Sequence, residues 1–218
     1  MGSSRLAPTI AFAVTLALKP DAPLDVAVDV TALAEVSPHV LHATMGEASA
    51  LWRPAGVTLV WVTSPTARSL PDVRLTLDVV PEAAGGGASA GGTSRLGMVV
   101  FLGDSANPER RLGLSVEAVG RLIDDAPWAG RRVADWPPRV REQLLGRALG
   151  RVLSHEIGHY LLAWRGHTTD GLMRAAFSGS RLIDPDRRPY TLSHVLLPRL
   201  GGRLAQLSGR GAIAAAVD

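Results

Sequence analysis

The stretch Val152-Leu153-Ser154-His155-Glu156-Ile157-Gly158-His159-Tyr160-Leu161-Leu162 decides how this chain is read. A helix turns about 100° per residue, so His155 and His159 share one face, about 6 Å apart along the axis. Two imidazoles at that spacing can grip one Zn²⁺ from one side. Glu156, rotated by about 100°, can reach a water on the metal without becoming a ligand. This is the His-Glu-x-x-His arrangement, in which the histidines bind and the carboxylate takes the proton. Leu144, Leu145, Ala148, Leu149, Val152 and Leu153 lead into the motif, and Ile157, Tyr160, Leu161, Leu162 and Trp164 lead out. On a helical wheel they leave only a narrow strip of Arg147, Arg151, Ser154 and Gly158. A helix apolar almost all round is a buried central helix, with Tyr160 in the core. Imidazoles and a carboxylate inside it are costly unless partnered, and a metal partners both rings. The expected helix opens at Pro137-Pro138, runs to Trp164 and is closed by Gly166 in a positive-φ cap.

A catalytic zinc takes three protein ligands and keeps one position for water. Downstream of Glu156 the chain holds no glutamate. The third ligand must therefore come from His167, Asp170, Asp184, Asp186 or His194. His167 lies just past Gly166, where a turn can double the chain back, and is preferred; Asp170 is the alternative.

Elsewhere the chain alternates between strand and helix signals. Leu24 to Val30 alternates and is β-branched, a strand. Ser37-Pro38 supplies an N-cap and first helical residue, and Leu41, Thr44, Met45, Ala48, Leu51 and Trp52 follow at helical spacing to about Arg53, with Gly56 as a stop. Val57 to Val62 is a second strand. Val73, Leu75, Leu77 and Val79 alternate with polar residues in a half-exposed third. Pro81 to Arg95 is a Gly-, Ala- and Ser-rich loop. Leu96 to Leu102 reads as a fourth, more buried strand. Leu112 to Ile123 is strand or helix, and Asp124 to Trp136 is loop, with Trp128 and Trp136 on its surface. The tail from Thr191 has a helical pattern interrupted by Pro198 and Gly201-Gly202. The order implies an α+β layer with the catalytic helix under a small sheet.

Bulk properties narrow the function. The 218 residues carry no long linker and are 46% hydrophobic, enough for one domain with a sizeable core. Lys19 is the only lysine and the arginines are scattered, so a net charge of +3 gives no nucleic-acid footprint. The absence of cysteine excludes disulfides, thiolate-bound zinc and thiol nucleophiles. Arg5 precedes the apolar run Leu6 to Leu18, which is too short for a membrane span. Residues 1–22 read either as a signal peptide, making the protein secreted or periplasmic, or as an N-terminal strand of a cytoplasmic protein. Residues 23–218 then form a single catalytic domain, with an upper lobe over about 23–165 and a lower lobe over about 166–218.

Together with Gly171-Leu172-Met173-Arg174, whose Met173 lies six residues past His167, the motif resembles the metzincin zinc peptidases. It is most similar to a group of bacterial metzincin-like proteins that share a His eight residues after the second motif His and a Gly-x-Met-Arg turn. Ala55-Gly56-Val57 and Val60-Trp61-Val62 also look like that group, so the resemblance spans about Leu24 to Phe177. It implies a zincin/metzincin-like α+β fold, with a small mixed twisted sheet over a buried active-site helix and an irregular C-terminal subdomain. His155, His159 and His167 would be the zinc ligands, Glu156 the general base and acid, and Met173 the apolar floor. The sequence departs from the usual pattern at Leu162, where a Gly is expected, and at His167, two residues late; the helix should therefore run about half a turn further.

The expected reaction is zinc-assisted hydrolysis of a peptide or protein substrate lying along an edge strand within residues 96 to 123. Tyr190, His194 and Arg174 are candidates for a second donor to the oxyanion. The alternative function is a non-catalytic, zinc-stabilised binding module; the intact Glu156 argues against it.

Overall fold

The computed structural model describes residues 24–32, 36–63, 71, 73–81, 95–103 and 107–209. The candidate signal segment 1–22 and nearly all of the Gly-rich stretch 81–95 lie outside the described residues. Strand β1 (Leu24–Ala32) leads into helix α1 (Pro38–Trp52). Ser37 caps that helix as its spacing predicts, its hydroxyl accepting the Val40 N–H at 3.3 Å. A single 3-10 turn over Arg53–Ala55 follows, closed by Gly56 at φ +79°. Strand β2 (Val57–Val62) then lies parallel to β1, with α1 as the crossover.

Strands β3 (Val73–Val80), β4 (Gly97–Phe101) and β5 (Pro108–Ser115) complete a five-stranded sheet in the order β2-β1-β3-β5-β4. All neighbours are parallel except β4, which runs antiparallel to β5 at the edge. The alternation in β3 holds: Val73, Leu75, Leu77 and Val79 are buried and the residues between them are not. The register sets Val28 beside Leu75 and Leu77 beside Leu112, giving one continuous apolar face. Asp29 pairs with Arg74, and Asp78 with Arg111, on the opposite face.

Several local expectations are corrected. Strand β4 is not more buried than its neighbours; only Gly97 is fully covered, because an edge strand beside a cleft has one open side. The ambiguous stretch Leu112 to Ile123 is both strand and helix. The chain leaves β5 at Ser115, whose hydroxyl accepts the Ala118 N–H at 3.2 Å and starts helix α2 (Val116–Asp124). Within Asp124 to Trp136, strands β6 (Pro127–Trp128) and β7 (Arg131–Arg132) form a small hairpin. Trp136 donates to the Trp128 carbonyl there at 3.1 Å.

Helix α3 (Pro138–Leu162) is the central element, and from Ala148 to Leu162 every residue is buried. The strip left open on the helical wheel is not a solvent face. Gly146 and Gly150 lie under α1 so closely that a Cβ on Gly150 would stand 2.7 Å from the Thr44 carbonyl oxygen. Arg151 is fully buried on the same side. Helix α4 (Gly179–Ile183) and helix α5 (Leu197–Leu207) complete the C-terminal part. Pro198 and Gly201-Gly202 do not interrupt α5. Pro198 sits in its first turn, where the missing N–H costs nothing. The buried Leu200 and Leu204, one turn apart, hold the rest against the core.

Arg151 joins these layers. Its Nε donates to Glu47 Oε1 at 3.0 Å, and its terminal nitrogens donate to the Arg181 and Asp186 carbonyls at 2.7 and 3.1 Å. Arg187 donates to the other oxygen of Glu47 at 2.7 Å from a half-exposed position. One carboxylate thus ties α1, α3 and the segment after α4. Replacing Glu47 by Ala leaves a buried guanidinium without its counter-charge and is expected to cost about 3–5 kcal/mol in urea unfolding. Arg187→Ala, at the exposed end, is expected to cost about 1 kcal/mol or less. Equal losses in the two variants would contradict the central role of the buried pair.

Candidate metal centre

His155 and His159 project from the same face of α3, as their spacing requires. Each commits its Nδ1–H to a main-chain carbonyl: His155 to Leu172 at 2.9 Å and His159 to Trp164 at 2.7 Å. This assignment follows from the acceptors, since a carbonyl oxygen can only accept. It leaves each Nε2 as a bare lone pair, and the two lone pairs face one another 3.0 Å apart. Burial drives the His155 pKa down to about 4, its histidine neighbours adding to the effect against the Leu172 hydrogen bond, and burial lowers that of His159 as well. Both rings are therefore neutral at ordinary pH. Two facing lone pairs repel unless a cation sits between them. Nitrogens held tetrahedrally at about 2.05 Å from a zinc ion would be about 3.3 Å apart, close to the separation found.

His167 completes the group. Its ring centroid lies 5.2 Å from that of His155 and 5.0 Å from that of His159. One ligating atom from each of the three residues falls within 4.8 Å of the others, and among the described residues this is the group of three that could hold a metal ion. The donor set fits zinc: three imidazoles, two of them turned by second ring bonds to carbonyls. Asp170 is exposed, and Asp184 and Asp186 serve local turns and the Arg188 side chain.

The route to His167 differs from expectation. Gly166 does not cap α3 with a left-handed φ; Ala163 takes that conformation instead, at φ 45°. The helix ends at Leu162, so the two additional residues before His167 enter the loop rather than lengthen the helix. Left-handed backbone at Ala costs roughly 1 kcal/mol. It lets the Trp164 N–H bond the His159 carbonyl at 3.2 Å, and so delivers the Trp164 carbonyl to the His159 ring. The missing side chain of Gly166 has another use: a Cβ there would meet the Trp164 indole at 2.4 Å.

Met173 is buried against Gly158 on α3, and its neighbour Leu172 carries the carbonyl that orients His155. Gly158 makes this contact possible, because a Cβ on it would stand 2.3 Å from Met173 Sδ. Gly97 does the same for the carboxylate: a Cβ there would lie 2.9 Å from Glu156 Oε1. Burial raises the Glu156 pKa to about 8, against the opposing pull of Arg95.

His155, Glu156, His159 and His167 line a cleft of about 480 Å³. Leu96, Gly97, Met98, Val99 and Phe101 form one wall, and Ala175, Ala176 and Phe177 form the other. Arg95 and Arg165 complete the lining. Phe177 meets His155 edge-on at 5.5 Å and stacks on Tyr190 at 5.7 Å. The three candidate oxyanion donors are not among the residues lining this cleft. The Tyr190 hydroxyl donates to the Arg181 carbonyl at 2.7 Å, Arg174 donates to the Thr169 carbonyl at 3.3 Å, and His194 is exposed on a separate 3-10 turn. Sequence reasoning assigns no role to Gly97, Arg95, Arg165 or Phe177. The only signal for Phe177 is its place four residues past Met173.

No protein-family model and no curated protein matches this chain.

Two outcomes follow for the metal-free protein. In the fold Glu156 holds its proton up to about pH 8, whereas in the unfolded chain it releases it near 4.5. Below 4.5 both states are protonated and no penalty arises. As pH rises toward 8, the unfolded state is favoured progressively. Glu156→Gln removes this penalty, so its stability gain over wild type should widen by up to roughly 1.4 kcal/mol per pH unit between those values. A gap that is flat with pH, measured by urea unfolding in chelator, would contradict the burial. Gly158→Ala should displace Met173 and lower stability by about 1–3 kcal/mol.

Proposed function

We propose that this chain is a zinc-dependent peptidase of the zincin type, with a metzincin-like ligand set. The observation that carries the reading is the pair of Nε2 lone pairs 3.0 Å apart, with a third imidazole and a carboxylate beside them in one cleft. A long buried helix carrying both motif histidines, a mixed sheet beside it and Met173 packed under Gly158 support the same family reading.

Zinc bound there would supply a Lewis acid that acidifies water and polarises the scissile carbonyl. The residues divide the remaining work. His155, His159 and His167 hold the ion, the first two kept in one tautomer by the Leu172 and Trp164 carbonyls. Glu156 accepts a proton on its carboxylate from the attacking water and returns it to the amide nitrogen as the bond breaks. In the metal-free protein burial raises its pKa; a divalent cation nearby favours the ionised form that can act as base. Among the described residues β4 is an edge strand, and its outer side offers main-chain groups along which an extended peptide can lie. Among the described residues no helix is long and apolar enough to cross a membrane.

The test is metal content together with peptide cleavage. Wild type is expected to hold one zinc per chain and to cleave a mixed peptide library. Glu156→Gln should keep the zinc and lose at least about 10²-fold in rate. His167→Ala should lose stoichiometric zinc. Zinc retained in wild type with no cleavage of any peptide would favour the non-catalytic binding module. Unchanged zinc in His167→Ala would overturn the ligand assignment.

A further inference from the structure

The cleft has an unbalanced charge. Among the described residues, Glu156 is the one carboxylate that lines it, and Arg95 and Arg165 are both present. The other lining residues outside the histidine cluster are apolar or glycine. Arg95 lies two residues before β4 begins, exposed, and its positive charge is felt at the Glu156 carboxyl. Arg165 lies past the end of α3 at the other end of the same strand. Its guanidinium sits 4.7 Å over the Phe101 ring and donates to the Gly103 carbonyl, so it is a fixed charge rather than a wandering one. The five residues of β4 span about 13 Å, and the two cations bracket that length. Any divalent ion on the three histidines adds to the same sign. A cleft with an excess of positive charge between apolar walls concentrates its field on whatever enters.

We infer that the preferred substrates are peptides carrying a carboxylate just beyond the scissile bond on its C-terminal side, and that Arg95 is the residue that reads it. This rests on the peptidase reading and goes beyond it in naming the substrate class. The side follows from chain direction. An extended peptide pairing antiparallel with the outer edge of β4, the stronger of the two ladders, points its C-terminal half toward Gly97 and Arg95. Its N-terminal half lies toward Phe101 and Arg165. Glu156 stands against Gly97, so the reacting bond is near the Arg95 end. The carboxylate has two sources, an Asp or Glu side chain or the C-terminus of the peptide itself. A guanidinium serves both with the same paired N–H donors.

The experiment uses fluorogenic peptides that differ only by Asp against Asn, or Glu against Gln, at the first two positions after the cleaved bond. Each is made as the free acid and as the C-terminal amide. Cleavage is followed as kcat/KM with wild type and with Arg95→Glu, and equilibrium binding is followed by anisotropy on zinc-loaded Glu156→Gln. The acidic peptides are expected to be cleaved and bound about tenfold or more better than their amide isosteres. Arg95→Glu should abolish that preference and favour Lys at the same position. A loss on C-terminal amidation that is the same for both isosteres assigns the terminal carboxylate; a difference between isosteres that survives amidation assigns the side chain. Acidic and neutral peptides handled within about twofold of each other, with Arg95→Glu no different, would overturn the inference while leaving hydrolysis standing. Acid-selective binding without cleavage of any peptide would do the reverse. Neither binding nor cleavage would remove both.

Discussion

The complete burial of α3 between Ala148 and Leu162 is the constraint that organises this molecule. A helix in that position cannot leave a polar side chain unpartnered without a cost of several kcal/mol for a charged group. Four of its polar residues find partners for their side chains. Arg151 meets Glu47 on α1, and Ser154 bonds back to the Gly150 carbonyl at 2.7 Å. His155 and His159 reach carbonyls beyond the helix end. Those bonds settle which edge of each imidazole turns to the cleft, and so create a pair of facing lone pairs.

The C-terminal part is held from two directions. On one side the Leu172 carbonyl bonds the His155 ring and the Met173 side chain packs against Gly158. On the other, Arg151 grips the Arg181 and Asp186 carbonyls and lies 4.2 Å over the Tyr190 ring. Tyr190 stacks on Phe177, and Phe177 meets His155. The buried ion cluster and the histidine cluster are thus ends of one packed series of rings. This gives the aromatic wall of the cleft a rigid backing, although most of the residues after Trp164 form short turns rather than long elements.

Local chemistry accounts for what was legible in advance. Val57–Val62 is bounded by a glycine and is rich in β-branched residues, and Ser37-Pro38 is a strong helix start; both signals act over a few residues and need no distant partner. The less legible places are those where a distant contact outweighs a local preference. Gly166 is the better left-handed residue by intrinsic cost, yet Ala163 takes the conformation, where the turn brings the Trp164 carbonyl onto His159. Gly201-Gly202 weakens a helix by about 1 kcal/mol per residue, and the burial of Leu200 and Leu204 outweighs it. Arg151 on a helical wheel marks a polar strip; only the presence of Glu47, 104 residues away in sequence, makes its burial affordable.

The sequence by itself determined the long apolar helix, the shared face of His155 and His159, and the rotation that sets Glu156 aside from them, because helical periodicity is a property of the backbone alone. It also placed four strands and the α1 cap through residues that act on their nearest neighbours. Tertiary structure alone decided which strand within residues 96 to 123 is the edge along the cleft and that His167 rather than Asp170 meets the other two rings. It also decided that Tyr190, Arg174 and His194 are placed outside the cleft while Arg95 and Arg165 line it. Each of those outcomes depends on which carbonyl or side chain from a remote segment comes within about 3–5 Å, and no local spacing encodes that distance.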